Sequence, residues 1–178
     1  GFFRENIYKP TGHRFVATYA DCEERMVLEY DDKPAAQIIA GTLNVPREQL
    51  SEHLFQHPMG RLVNGDVYIT SADKVFDDGA ISYYSRIYNL TKMLLLEPDD
   101  LKRVWKETRQ RVSNEIKKPS FSVSINCFLR TMLFEDENCF GEFVNELRNY
   151  GEFIGVSGCG EQLGYIHLNQ TMVLLVFE

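Results

Sequence analysis

Nothing in the sequence approaches the run of about eighteen apolar residues that a membrane-spanning helix needs. The opening Gly1-Phe2-Phe3-Arg4 lacks the basic region and apolar core of a secretory signal. Direct membrane contact is therefore not expected, and the location implied is cytoplasmic. Cysteine is sparse: Cys22, Cys127, Cys139 and Cys159 contain no C-x-x-C pair, and the chain is too long to need disulfide staples, so these read as reduced thiols. Basic residues are outnumbered, with 19 Lys and Arg against 26 Asp and Glu and a net charge of -7. No segment outlines a nucleic-acid footprint, which excludes nucleic acid as a partner. Repeats, low-complexity tracts and internal linkers are also missing. The first residue is not methionine, which fits a piece of a longer protein.

What is present is a chain of 178 residues, 44% hydrophobic and 12% aromatic. At that length roughly 70 per cent of the unfolded surface can be buried, and one domain is the simplest reading. Thr11-Gly12 breaks the chain before a strand over Arg14 to Tyr19, and Met26 to Tyr30 pairs with it across an acidic turn. Asp31-Asp32-Lys33-Pro34 places carboxylates ahead of a proline, as at the first turn of a helix, and Pro34 to Leu43 carries Ile38, Ile39 and Leu43 at helical spacing. Pro46 to Phe55 reads as a shorter helix, ended by His57-Pro58-Met59-Gly60. Asn64-Gly65 and Asp78-Gly79 mark hairpins in a meander that closes with Met93 to Leu96, too apolar to be an edge strand.

The clearest helix is Pro98 to Lys117, with Leu101, Val104, Trp105, Thr108, Val112 and Ile116 as its stripe and acids at its start. The seven basic side chains from Lys102 to Lys118 are interleaved with acids and read as a solvated face. Phe121 to Ile125 alternates as a half-buried strand, Cys127 to Phe134 turns helical, Glu137 to Tyr150 forms another helix stopped by Gly151, and Phe153 to Ser157 is a strand. Strands grouped first and helix–strand alternation later predict an α+β fold: a mixed, mainly antiparallel sheet layered with helices.

Chemistry-bearing motifs are few. His53 and His57 are the only histidines four apart, but Pro58 breaks the helix that would align them on a metal. Cys127 and Cys159 would need a neighbouring base such as His167 to act as nucleophiles, and an unactivated cysteine is usually a small buried hydrophobe. Gly155-Val156-Ser157-Gly158-Cys159-Gly160 follows a strand without a helix behind it, so the dinucleotide-binding context is absent. The paired acids at Asp31-Asp32, Asp77-Asp78 and Asp99-Asp100 sit where turns and caps want them. No catalysis, metal or cofactor is expected.

Polar residues and glycine concentrate instead in Gly155 to Glu178. Gly160, Glu161, Gln162, His167, Asn169 and Gln170 crowd ahead of an apolar strand over Met172 to Phe177, with Cys127 and Arg130 as candidate neighbours. Glycines let a backbone approach closely, and these side chains offer donors and acceptors together. A small polar, amino-acid-like ligand would find an anion for its ammonium and N–H groups for its carboxylate. A hydrogen-bond network tying the last strand to its neighbours accounts for the same residues equally well. The ligand reading places Gly160 to Thr171 at a pocket mouth, with Glu161 and His167 both facing it.

Five pieces recur in order in a known family: D-D-K-P-A-A (Asp31 to Ala36), H-P-M-G (His57 to Gly60), D-D-G-A-I (Asp77 to Ile81), S-I-N-C-F-L-R (Ser124 to Arg130) and G-E-Q-L-G-Y-I-H-L-N-Q-T (Gly160 to Thr171). Together they resemble the C-terminal half of the FIST domain. The resemblance implies a sensory module of signal-transduction proteins such as chemotaxis receptors and diguanylate cyclases, binding amino acids or related metabolites. It also implies partnership with an N-terminal FIST half and an output signalling module, with a homodimer as one means of passing on occupancy. Two alternatives accompany it: a protein-interaction module without a small ligand, and a haem or nitric-oxide sensor in which His57 or His167 would be axial. Leu129 and Thr131 stand where relatives often carry glycine, which works against close backbone approach at Arg130.

Overall fold

A computed structural model describes residues 1–63 and 65–178. Phe2–Asn6 forms β1, and belongs to a unit built from Gly1–Ile7 and Asp99–Glu178; the intervening Tyr8–Pro98 folds as a second unit.

In the second unit β2 (Tyr8–Asp21), β3 (Met26–Tyr30), β4 (Lys33–Pro34), α1 (Ala35–Leu43), a 3-10 turn at Arg47–Gln49, α2 (Leu50–Gln56), β5 (Met59–Val63), β6 (Asp66–Thr70), β7 (Ala72–Val75), β8 (Ile81–Tyr83) and β9 (Lys92–Pro98) follow one another. The strands lie in the order β6-β5-β9-β2-β3-β8-β7, with β4 on β3, and every pair is antiparallel. The expected meander is corrected here: β9 returns to sit between β5 and β2. Met93, Leu94, Leu95 and Leu96 are all buried, as that central place demands. The expected break at Thr11-Gly12 is a bulge inside one long strand. Gly12 takes φ +97, and Thr11 Oγ1 donates to the Leu95 carbonyl at 3.0 Å, so pairing with β9 resumes at Arg14.

Asp31 and Asp32 do not cap α1. Both take positive φ in the turn between β3 and β4, and Asp31 Oδ1 accepts the Val16 amide at 2.9 Å. Pro34, extended, precedes the helix instead, and no carboxylate lies in its first turn. Asn64 lies outside the described residues; Gly65 takes φ +90, and β5 and β6 pair on either side. His57 caps α2, its amide donating to the His53 carbonyl, with its ring Nδ1 3.2 Å from the Leu96 carbonyl. The core of this unit gathers Phe15, Val27, Tyr30, Ile39, Leu50, Leu54 and Met59, and the Tyr30 and Tyr83 hydroxyls meet at 2.9 Å within it.

The first unit continues with α3 (Leu101–Glu115), β10 (Phe121–Cys127), α4 (Phe128–Asp136), α5 (Phe140–Leu147), a 3-10 turn at Arg148–Tyr150, β11 (Glu152–Gly158), β12 (Glu161–Leu163), β13 (Ile166–Leu168) and β14 (Thr171–Phe177). Asp100 caps α3 by accepting the Arg103 amide at 3.1 Å, and Val104, Trp105, Thr108 and Val112 face inward. Asn138, at φ 54, separates α4 from α5, so the last helix starts at Phe140, three residues later than its pattern predicts. Strand order is β1-β14-β10-β11, antiparallel except for β10 with β11, whose parallel pairing the α4–α5 crossover permits. Mixed, mainly antiparallel sheets with helices make this the expected α+β fold.

On β10 it is Ser122, Ser124 and Asn126 that are buried, while Phe121 is 39% exposed. The register places Glu5, Met172, Asn126 and Ser157 in one row across the sheet. Arg130 of α4, with no exposed surface, forms an ion pair with Glu5 in that row and donates to the Glu5 carbonyl at 3.3 Å. Its guanidinium carbon lies 5.0 Å from the Phe134 ring centroid and 5.4 Å from that of Phe143. Thr131 donates to the Cys127 carbonyl and shares a hydrogen bond of 2.6 Å with Ser157. Small polar residues on the inner face leave room for this network, where larger ones would hold the helix away.

A buried charge without its partner costs roughly 3–5 kcal/mol, whereas replacing both members of a pair by apolar groups is often close to neutral. In urea unfolding, Arg130→Ala should lose about that amount, and Glu5→Leu with Arg130→Met should lose clearly less than the two single changes summed. Additive losses would show that the pair is not coupled.

Candidate functional site

After β11 the chain bends at Cys159 and Gly160 into a hairpin: β12 and β13 pair Glu161 with Leu168 and Gln162 with His167, and the turn at Gly164 takes φ +62. Side chains alternate across a strand, so the Glu161–Leu168 pair and the Gln162–His167 pair point to opposite faces. Burial agrees. Glu161 is 2% exposed and Leu168 is fully buried, whereas Gln162 and His167 are exposed. The expectation that Glu161 and His167 face one pocket mouth is thereby corrected, because their strand positions differ in parity.

Gly160 is needed where it stands. Its φ is +112, and a Cβ there would lie 2.3 Å from His167 Nε2, so the imidazole occupies the place of a side chain. Gln162 Nε2 donates to the Gly164 carbonyl at 2.8 Å and braces the turn, leaving Tyr165 wholly exposed at its tip.

Behind the hairpin lies a polar interior. Glu161 Oε2 accepts from Thr171 Oγ1 at 3.1 Å, while among the described residues no nitrogen or oxygen donor reaches the buried Oε1. Burial pushes the Glu161 carboxyl up to about 7, against the pull of hydrogen bonds from Cys127 and Thr171 and of the Arg130 charge. Burial, then the Glu161 charge, likewise pushes the Cys127 thiol up, with backbone hydrogen bonds from Gln170 and Leu129 acting the other way. A protonated, buried thiol is a poor nucleophile, which opposes catalysis at Cys127. Gln170, at φ 49, and Asn169 are both buried in the bend that leads into β14.

The eight expected site residues therefore fall into three places. Gly160, Gln162 and His167 belong to the open face of the hairpin. Glu161, Cys127, Asn169 and Gln170 are buried in the polar interior. Arg130 is engaged with Glu5 in the helix-covered row. Sequence reasoning missed Glu5, Thr131 and Ser157, and took in Thr171 only as the end of the Gly160 to Thr171 segment; Glu5 lies 125 residues from Arg130, and no local pattern links them. Among the described residues, no group of three or more His, Cys, Asp or Glu is placed to hold a metal ion, and no helix is long and apolar enough to cross a membrane.

The FIST C domain family model matches residues 35–163, more than half of the chain, from the start of α1 to the end of β12. The match includes Cys127, Arg130, Gly160, Glu161 and Gln162 and stops short of His167, Asn169 and Gln170. No curated protein and no solved structure matches the chain.

Two outcomes are expected from this geometry. A carboxyl held near 7 in the folded state, above its ordinary 4.5, favours folding while protonated, so its contribution is present below about pH 4.5 and is lost as pH rises through 7. Glu161→Gln should remove that dependence, making the protein more stable than wild type at pH 8 by on the order of 2 kcal/mol and leaving little difference at pH 5. Urea midpoints at the two pH values measure this, and an equal offset at both would refute it. Gly160→Ala should cost roughly 1–3 kcal/mol. Adding His167→Ala should recover the part due to collision and leave the part due to positive φ; no recovery would place the imidazole elsewhere.

Proposed function

The chain belongs to the FIST C domain family, which is associated with sensing in signalling proteins, and from that premise we propose that it is a small-ligand-sensing module with no catalysis of its own. The observation that carries the reading is the division of labour across the β12–β13 hairpin. Gln162 and His167 stand side by side on its open face, while the titratable Glu161 is held behind it against Cys127 and Thr171. A polar metabolite of amino-acid type would meet an imidazole and a carboxamide on that face, together with the glycine-opened backbone of Gly158 to Gly160. Any shift of the hairpin on binding would move Glu161 relative to Thr171, and so reach β14, which hydrogen-bonds to both β1 and β10. Occupancy would thereby alter packing at a central strand, from which an N-terminal half, an output module or a second copy could read it, in a cytoplasmic setting.

A second reading is favoured by the burial of Glu161, Asn169 and Gln170. On this view the polar interior is structural, and the module recognises a protein partner through its surface.

A thermal-shift screen of the amino acids and their close metabolites separates the two. A ligand at about a hundred times its Kd should raise Tm by roughly 5–10 °C, and His167→Ala should abolish the shift without changing the Tm of the free protein by a similar amount. Absence of any shift across the screen would favour the interaction module.

A further inference from the structure

The outer flank of α3 carries Lys106, Arg109, Gln110 and Ser113, which lie on one face of the helix at spacings of three, four and seven residues, and Lys117 follows two residues past the helix end at Glu115. Beneath them is a groove of about 550 Å³ with Val112, Ile116 and Pro119 along its floor and Asn149 and Tyr150 on the opposite wall. That volume is within the range of small-molecule sites. Its lining holds three cations, one of which, Arg109, is paired with the Glu146 carboxylate.

The cations differ in how far they are committed. Arg109 holds both carboxylate oxygens of Glu146. Lys117 Nζ donates to the Ser113 and Asn114 carbonyls at 3.0 and 3.4 Å, closing the end of α3, and the Lys117 amide donates to Glu178. Lys106 is exposed and makes no ion pair among the described residues. Tyr150 is 2% exposed, and its buried hydroxyl has no hydrogen-bond partner among the described residues. Burial, reinforced by the Glu5 and Glu146 charges, pushes that phenol up, so it stays a donor at neutral pH. The other flank of α3 makes a useful contrast. A groove of about 420 Å³ there is lined by Asp99 and Glu107 as well as Arg103 and Arg111, and its charges cancel.

We propose that the groove between α3 and Asn149-Tyr150 binds a small organic anion, with a phosphate or carboxylate on Lys106 and an apolar body lying over Val112 and Ile116. The site is separate from the β12–β13 hairpin and does not depend on ligand binding there. An apolar floor supplies affinity through burial, and the uncommitted Lys106 cation sets the sign of the ligand and makes binding weaken with salt.

Phenyl phosphate is a suitable probe, with inorganic phosphate as the anion lacking an apolar body and phenol as the apolar body lacking the anion. Backbone amide NMR should show saturable phenyl phosphate shifts at residues 106–117 and 149–150, separate from residues 158–171 where a hairpin ligand would act. Each control compound should bind at least tenfold more weakly. Lys106→Glu with Lys117→Glu should weaken phenyl phosphate at least tenfold, and Lys106→Ala, which removes an exposed side chain, should weaken it measurably with the melting temperature unchanged. No saturable shift up to about 10 mM, phenol binding as tightly as phenyl phosphate, or equal affinity in the charge-altered variants would overturn the proposal.

Discussion

An ion pair with almost no exposed surface, Arg130 with Glu5, sets the terms for the unit in which the polar interior lies. Removing a guanidinium and a carboxylate from water is costly, and the cost is offset only if partners are fixed around them. Here the Glu5 carbonyl, the Phe134 and Phe143 rings and a row of small polar residues on β10 provide that setting. The pair also joins the first strand of the chain to a helix 125 residues later. Helix α4 is thereby held at one depth over the sheet. Cys127, its N-cap residue, is fixed with it, and so is the floor against which Glu161 rests.

The hairpin is the other constraint. A two-stranded ribbon is marginal by itself and holds its shape through what it packs on. The inward face of β12–β13 is secured by Leu168 and by the Thr171 hydrogen bond to Glu161, and its outward face is shaped by an imidazole lying across a glycine. One carboxyl oxygen buried without an oxygen or nitrogen donor among the described residues makes the anionic form of Glu161 unfavourable. Burial therefore outweighs the Arg130 charge in placing its titration near neutrality. A buried group that titrates near neutrality is a frequent mark of a functional site, although structural networks shift such groups as well.

Much of the fold was legible because the signals are local. Asp100 as a cap, the α3 stripe, Gly151 at φ +89 behind Tyr150, and the apolar run of β9 all report structure within a few residues of themselves. Errors occurred where distant partners decide. Asp31 and Asp32 have the composition of a helix start, yet β3 and β4 pair across them and Val16 supplies the donor. The serines of β10 look like a solvent face by alternation and are the buried face, where Ser124 meets the Met172 sulfur of the neighbouring β14.

The same division applies to the candidate site. By itself the sequence determined that polar side chains and glycines crowd ahead of a buried final strand, that an α+β fold surrounds them, and that five motifs mark the family, since composition, periodicity and motif order are properties of the chain. Only the tertiary structure decided which of those side chains face outward. Strand parity within a hairpin sets Glu161 against His167, and that parity depends on where pairing begins, at Glu161 with Leu168. It also decided that Arg130 belongs with Glu5 and not with Glu161, because a salt bridge is chosen by which groups the packed sheet and helix bring within reach, and no spacing along the chain encodes that distance.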